Sequence, residues 1–157
     1  MLRLSWDDIA EATWKLGERV RMSGFQPEYL VGITLGGLVP LMLLAKQLKN
    51  RNVLTISAQS YDGDKKRELD IKYLPDVDLA GKRVLLIDEV VDSGDTLSAI
   101  TKILREKYHV GELKSAVVVC KSHSVFTPDF SILSTDEWVV FPWEKAEAPE
   151  LFEAEKS

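Results

Sequence analysis

Apolar positions along this chain recur in two rhythms. Ile9, Ala12, Thr13, Leu16 and Val20 fall at helical spacing after Ser5, and Asp8 stands three residues past that serine. A capped amphipathic helix is predicted there, ending before Gly24 and Pro27. Residues 29–34 are mostly apolar and predict a buried strand; 38–48 return to a helical pattern, with Gly36, Gly37 and Pro40 marking the passage between the two. Further strands are expected over 53–60, 83–88 and 114–120, with a late one over 136–142. Leu97, Ile100, Leu104 and Tyr108 mark a helix after the third strand. The stretch 61–82 is polar and turn-rich, without a continuous core face, and predicts a functional loop or small flap. The charge-rich tail from Glu144 predicts a solvated helix or a frayed end.

Strands alternating with helices predict one α/β domain, a mostly parallel sheet covered on both faces. Such sheets bind ligands beyond the carboxyl ends of their strands. At 157 residues the chain is long enough to bury a core without staples or metal. A net charge of −5 with no basic run argues against nucleic acid as a partner. Its one cysteine, Cys120, excludes an intrachain disulfide and fits a reducing compartment. The first residues lack the apolar core of a signal peptide, so a cytoplasmic protein is expected. Residues 29–45 carry no charge, but the glycine pair and Pro40 interrupt them, and no membrane span is expected.

The chemistry concentrates in 84–97, VLLIDEVVDSGDTL. A buried strand runs into two adjacent acids, Asp88 and Glu89, and then into a short loop, Asp92-Ser93-Gly94-Asp95-Thr96, that opens the next helix. Converging backbone N–H groups and a helix N-terminus make such a loop an anion cradle, to which Ser93 and Thr96 add hydroxyl donors. It is not a Walker loop, because the Gly-Lys-Ser/Thr ending is missing. Acids beside a phosphate cradle can accept hydrogen bonds from vicinal sugar hydroxyls. They can equally be a solvated strand end, or the acidic pair of a receiver domain or a magnesium phosphatase.

The segment resembles the phosphoribosyl-pyrophosphate signature of type I phosphoribosyltransferases. Other blocks follow that family in the same order. VGITLGGLVPLMLLAKQL resembles its pyrophosphate glycine loop, and SYDGDKKREL the mobile hood of the bacterial xanthine-guanine (6-oxopurine) branch. VVVCKSHS and DEWVVFPWE resemble that branch's lysine strand and tryptophan-bearing base segment. The resemblance implies transfer of ribose 5-phosphate from phosphoribosyl pyrophosphate to a purine nitrogen, with Mg²⁺ as cofactor and a homo-oligomer, dimer or tetramer, as the assembly. Asp88 and Glu89 would hold the ribose hydroxyls, directly or through Mg²⁺. Ser93, Gly94, Asp95 and Thr96 form the 5′-phosphate loop, and Leu35, Gly36 and Gly37 the pyrophosphate loop, with a cis peptide expected there. Asp92 would be the general acid/base at purine N7. Lys121, a donor only, would face the purine O6 and discriminate against adenine. Trp138 would stack on the base, and Val139 would offer backbone groups to its edge. Lys65, Lys66 and Arg67 could reach pyrophosphate from the hood.

The chain departs from the family at two positions. Leu35 stands where relatives carry arginine before the paired glycines, and Asp95 stands in the phosphate loop where Gly, Lys or Arg is common. These departures leave a second expectation open: a regulatory protein of the same fold that senses phosphoribosyl pyrophosphate or a nucleotide without turnover.

Overall fold

The computed structural model describes residues 1–63 and 66–156, the side chains of 60–68 and 154–156 excepted. Lys65 lies outside the described residues, as do the side chains of Lys66 and Arg67. In chain order the elements are β1 (Leu2–Arg3), α1 (Trp6–Met22), β2 (Tyr29–Thr34), α2 (Leu38–Leu48), β3 (Val53–Gly63), β4 (Lys66–Tyr73), β5 (Arg83–Val91), α3 (Asp95–Glu106), β6 (Glu112–Cys120), β7 (Phe130–Ser134) and β8 (Val139–Val140). Two 3₁₀ segments come after them, Pro142–Ala146 and Pro149–Lys156, in place of the expected tail helix.

Six strands form one sheet in the order β4-β3-β2-β5-β6-β7, all parallel except β4, which runs antiparallel to β3. The alternation of β5 explains why its residues are apolar without a break. Val84 and Leu86 pack with Leu97, Ile100 and Leu104 of α3, while Leu85 and Ile87 pack with Leu16 and Val20 of α1 and Leu41 and Leu44 of α2. A strand buried on both faces has no polar side to offer. Each such side chain, fully buried, contributes roughly 1.5–3 kcal/mol. Helix α1 starts as expected: Asp8 N–H donates to Ser5 Oγ at 3.0 Å, and Ser5 N–H to Asp8 Oδ2 at 2.8 Å.

Where a loop or small flap was expected over 61–82, the chain begins with paired strands. β3 continues to Gly63 and pairs with β4 as a hairpin, its register shifting between Ser57 and Ala58. Leu69 and Ile71 alternate with charged residues and pack on the core, too short a rhythm to register as a core face. The late strand is also corrected. Only Val139–Val140 is extended, and it pairs with β1 in a separate two-stranded sheet, while β7 was not anticipated at all. Among the described residues no helix is long and apolar enough to cross a membrane.

Candidate active site

The strand order reverses direction between β2 and β5, and a cleft of about 430 Å³ opens at the carboxyl ends of those strands. Leu35 and Gly36 form one wall; Asp88, Glu89, Asp92, Ser93, Gly94 and Thr96 form the other. The alternation of β5 continues past its apolar run, so the two acids diverge. Glu89 turns toward the β2–α2 loop, where a Cβ on Gly36 would lie 2.1 Å from Glu89 Oε2. Glycine at position 36 leaves room for that carboxylate, which a side chain there would push aside. Asp88 turns inward and is 8% exposed, with its Oδ1 accepting the Glu89 N–H at 2.9 Å. Burial, then the neighbouring Glu89 carboxylate, hold the Asp88 carboxyl well above the usual carboxylate range. Glu89 Oε2 is buried without a hydrogen-bond partner.

The loop from Asp92 to Thr96 turns on Gly94, which has φ +94°, a left-handed conformation that favours glycine. Gly94 O accepts from Ser98 N–H at 2.9 Å and so starts α3. Asp95 N–H donates to Ser93 Oγ at 3.3 Å. Asp95 is exposed and lies outside the cleft lining. In the facing loop the Thr34–Leu35 peptide is cis, as expected, and Leu35 is 81% exposed at the cleft wall. Gly37 N–H donates to Ile33 O at 2.9 Å, and a Cβ there would meet that same oxygen at 2.5 Å, so this glycine also serves the turn into α2.

A second group of residues is assembled from strand ends. Lys121 follows β6, with its N–H donating to Val91 O at 3.0 Å. It is only 8% exposed, and its ammonium donates to Glu137 O. A buried lysine is uncommon unless its charge is used. Trp138 is 61% exposed and takes no part in the aromatic cluster of Trp6, Phe141 and Trp143. Val139 is buried, and the carbonyls on either side of it, of Trp138 and Val140, accept from Leu2 and Leu4 at 2.8 and 2.9 Å. Lys121, Trp138 and Val139 lie outside the lining of the phosphate cleft.

Several residues here were not anticipated. His123 Nε2 lies 2.6 Å from Asp92 Oδ1, and Asp136 receives both the N–H and the hydroxyl of Ser122. Register is the signal that connects them. Cys120 pairs with Ser134 across β6 and β7, an offset of 14 that Ser115 with Asp129 and Ser122 with Asp136 repeat at the two ends. Without β7 that offset cannot be read.

The mostly parallel sheet thus carries an acidic pair and a glycine loop at its switch point. Residues 4–149 match the phosphoribosyl transferase domain family. The chain is 34% identical to the xanthine-guanine phosphoribosyltransferase of Ruegeria sp. (strain TM1040), over 91% of this chain and 85% of that one. The solved Helicobacter pylori xanthine-guanine-hypoxanthine phosphoribosyltransferase superposes with a TM-score of 0.85 at 28% identity, covering 96% of this chain and 97% of that one. A Neisseria gonorrhoeae protein solved with bound ppGpp superposes with a TM-score of 0.81 at 27% identity, covering 99% and 98%. The chain belongs to the phosphoribosyltransferase family, and the expected enzyme class and α/β fold are borne out.

Proposed function

We propose that this phosphoribosyltransferase salvages 6-oxopurines, joining xanthine, guanine or hypoxanthine to ribose 5-phosphate and releasing pyrophosphate. The observation that carries this is Lys121, a buried ammonium that donates to the carbonyl of Glu137, the residue before the exposed Trp138. An ammonium has three N–H donors and no acceptor. With one donor spent, the remaining ones suit a purine O6 and leave the amino group of adenine unpaired.

The other residues take roles that fit their places. Ser93, Gly94 and Thr96 offer donors to the 5′-phosphate at the N-terminus of α3. Asp88 and Glu89 face the ribose hydroxyls. The orphaned Glu89 oxygen and the crowded Asp88 carboxyl are also what a divalent cation would relieve, so these two residues fit Mg²⁺. When bound, Mg²⁺ supplies positive charge against the hydroxyl and pyrophosphate oxygens. Asp92 receives the proton that leaves purine N7: the N–H bond breaks, an O–H bond forms, and the carboxylate loses its charge. Trp138 stacks on the base, holding the attacking nitrogen in line with the sugar.

Leu35 favours a second possibility. An apolar side chain, 81% exposed, occupies the wall where a cation would neutralise pyrophosphate, which fits a protein that binds a phosphorylated nucleotide without turning it over. One experiment separates the two: nucleotide formation from phosphoribosyl pyrophosphate and Mg²⁺, with guanine, hypoxanthine, xanthine and adenine assayed separately. Turnover of the oxopurines but not adenine is expected. No turnover with any base, despite tight phosphoribosyl pyrophosphate binding, would leave the sensor as the answer.

A further inference from the structure

Asp92 is exposed on a loop, yet it is not left to wander. We infer that His123 is a positioning residue for Asp92, holding its carboxylate at the cleft in one orientation. The inference rests on Asp92 serving the purine nitrogen.

The geometry is a carboxylate–imidazole–carboxylate bridge. His123 Nε2 stands 2.6 Å from Asp92 Oδ1, and Nδ1 stands 3.5 Å from Asp136 Oδ1. Asp136 is fixed in turn: Ser122 N–H donates to its Oδ1 at 3.1 Å, and the Ser122 hydroxyl lies 2.6 Å from both carboxylate oxygens. Hydrogen bonds to the serine also hold the Asp136 carboxyl below the usual carboxylate range, so it is ionised at neutral pH. The segment that carries His123 is anchored to the phosphate loop. Val125 N–H donates to Ser93 O at 3.0 Å, and Ser124 N–H to Lys121 O at 3.1 Å. Phe126 and Ser124 close over Gly94, where a Cβ would lie within 3 Å of each. The imidazole therefore has a defined place, and Asp92 inherits it.

The placement has two chemical effects. Binding Oδ1 selects one rotamer from those open to an exposed aspartate and leaves Oδ2 for the base, which lowers the entropy of reaching the reactive arrangement. Secondly, a ring nitrogen that carries hydrogen donates to Oδ1 and keeps that oxygen committed, so the N7 proton is received at Oδ2. No proton passes through the ring; it keeps its own while Asp92 gains one. The charged groups facing the ring are Asp92 and Asp136. The nearby Lys121 ammonium is directed to Glu137 O, and the Glu137 carboxylate to the terminal ammonium of Met1 at 3.0 Å.

The test compares wild type, His123→Phe, His123→Gln and Asp92→Asn with 6-oxopurine substrate, after thermal unfolding confirms that each variant is folded. His123→Phe should lower kcat about ten- to hundredfold, the cost of a misplaced group, while leaving KM for phosphoribosyl pyrophosphate nearly unchanged. His123→Gln still offers a donor to Asp92 and should recover most of the lost kcat. A wild-type kcat in His123→Phe, or a loss in His123→Gln as deep as in His123→Phe, would overturn the inference. Unchanged turnover in Asp92→Asn would instead remove Asp92 from the chemistry, a failure of the underlying assignment rather than of the bridge alone.

Discussion

Two neighbouring regions of the molecule are built in opposite ways. The segment proposed to hold phosphate, the phosphate side, is continuous, leaving β5 through Asp88 and Glu89 and entering α3 through Ser93, Gly94 and Thr96. The residues proposed for the base, the base side, are gathered from the ends of β6, β7 and β8: Lys121 and His123 from one, Asp136 from the next, Trp138 beside the third. Two aspartates four positions apart show the consequence. Asp88, at a strand end inside the sheet, is buried against a second carboxylate, whereas Asp92, on the loop, is exposed and held by an imidazole from the turn after β6. Local sequence decides the first environment and strand register the second. The residue type decides neither.

The sides meet at Gly94, and the largest effect should come from breaking that seam. A Cβ at Gly94 would lie 2.6 Å from Phe126 Cβ and 2.7 Å from the Phe126 backbone nitrogen, at a φ that disfavours any side chain. Gly94→Ala should cost about 1–3 kcal/mol from backbone strain alone, with the steric conflict added to it. Because the same shift moves the 5′-phosphate donors and the His123 segment, phosphoribosyl pyrophosphate affinity and kcat should fall together. Calorimetric titration and thermal unfolding would read this, and loss of kcat with affinity intact would mean the two sides are independent.

A cut confined to the base side should spare the phosphate side. Lys121→Met removes the ammonium and leaves the Glu137 carbonyl without its donor, a destabilisation of about 1–3 kcal/mol. Oxopurine turnover should collapse and the preference over adenine should disappear. Phosphoribosyl pyrophosphate binding should stay within about threefold, since distant sites that share no partner respond separately. Competition assays with adenine and hypoxanthine measure the preference directly. A lost phosphoribosyl pyrophosphate affinity would place Lys121 on the phosphate side after all.

The same contrast explains what could be read from the sequence. Elements defined by their own residues were legible: the Ser5–Asp8 cap, α2 over its full length, the double-sided burial of β5 and the cradle that ends it. The cleft residues from Asp88 to Thr96 needed only one stretch of chain. What failed depends on pairing. β7 has no clear alternation and owes its place to β6; β8 is two residues long and exists because β1 lies beside it. Without those strands His123 is a histidine among serines, and Asp136 an acid before a tryptophan. The bond from Gly37 N–H to Ile33 O is likewise a feature of the folded turn that the glycine pair alone does not announce.

The smallest expected effect runs against the usual direction, because removing a site acid should stabilise the ligand-free protein. Burial first, and the Glu89 carboxylate second, keep the Asp88 carboxyl well above its ordinary range, so the folded chain retains a proton that the unfolded chain releases. From about pH 4, the ordinary aspartate value, up through the raised value, the native state binds more protons than the unfolded one, and stability falls as pH rises. Asp88→Asn keeps an acceptor for the Glu89 N–H and removes the titration. Its Tm should exceed wild type at pH 7.5 by a few degrees, at about 2–4 °C per kcal/mol for a chain of this size, and the difference should vanish near pH 4. Adding Mg²⁺ should then raise the wild-type Tm at pH 7.5 more than that of the variant, since a cation stabilises only the state that holds it. A variant less stable than wild type at every pH would mean that protein groups already satisfy the Asp88 charge. In that case the crowding of Asp88 against Glu89 would be no sign of a cation, and the pair would face the ribose hydroxyls directly.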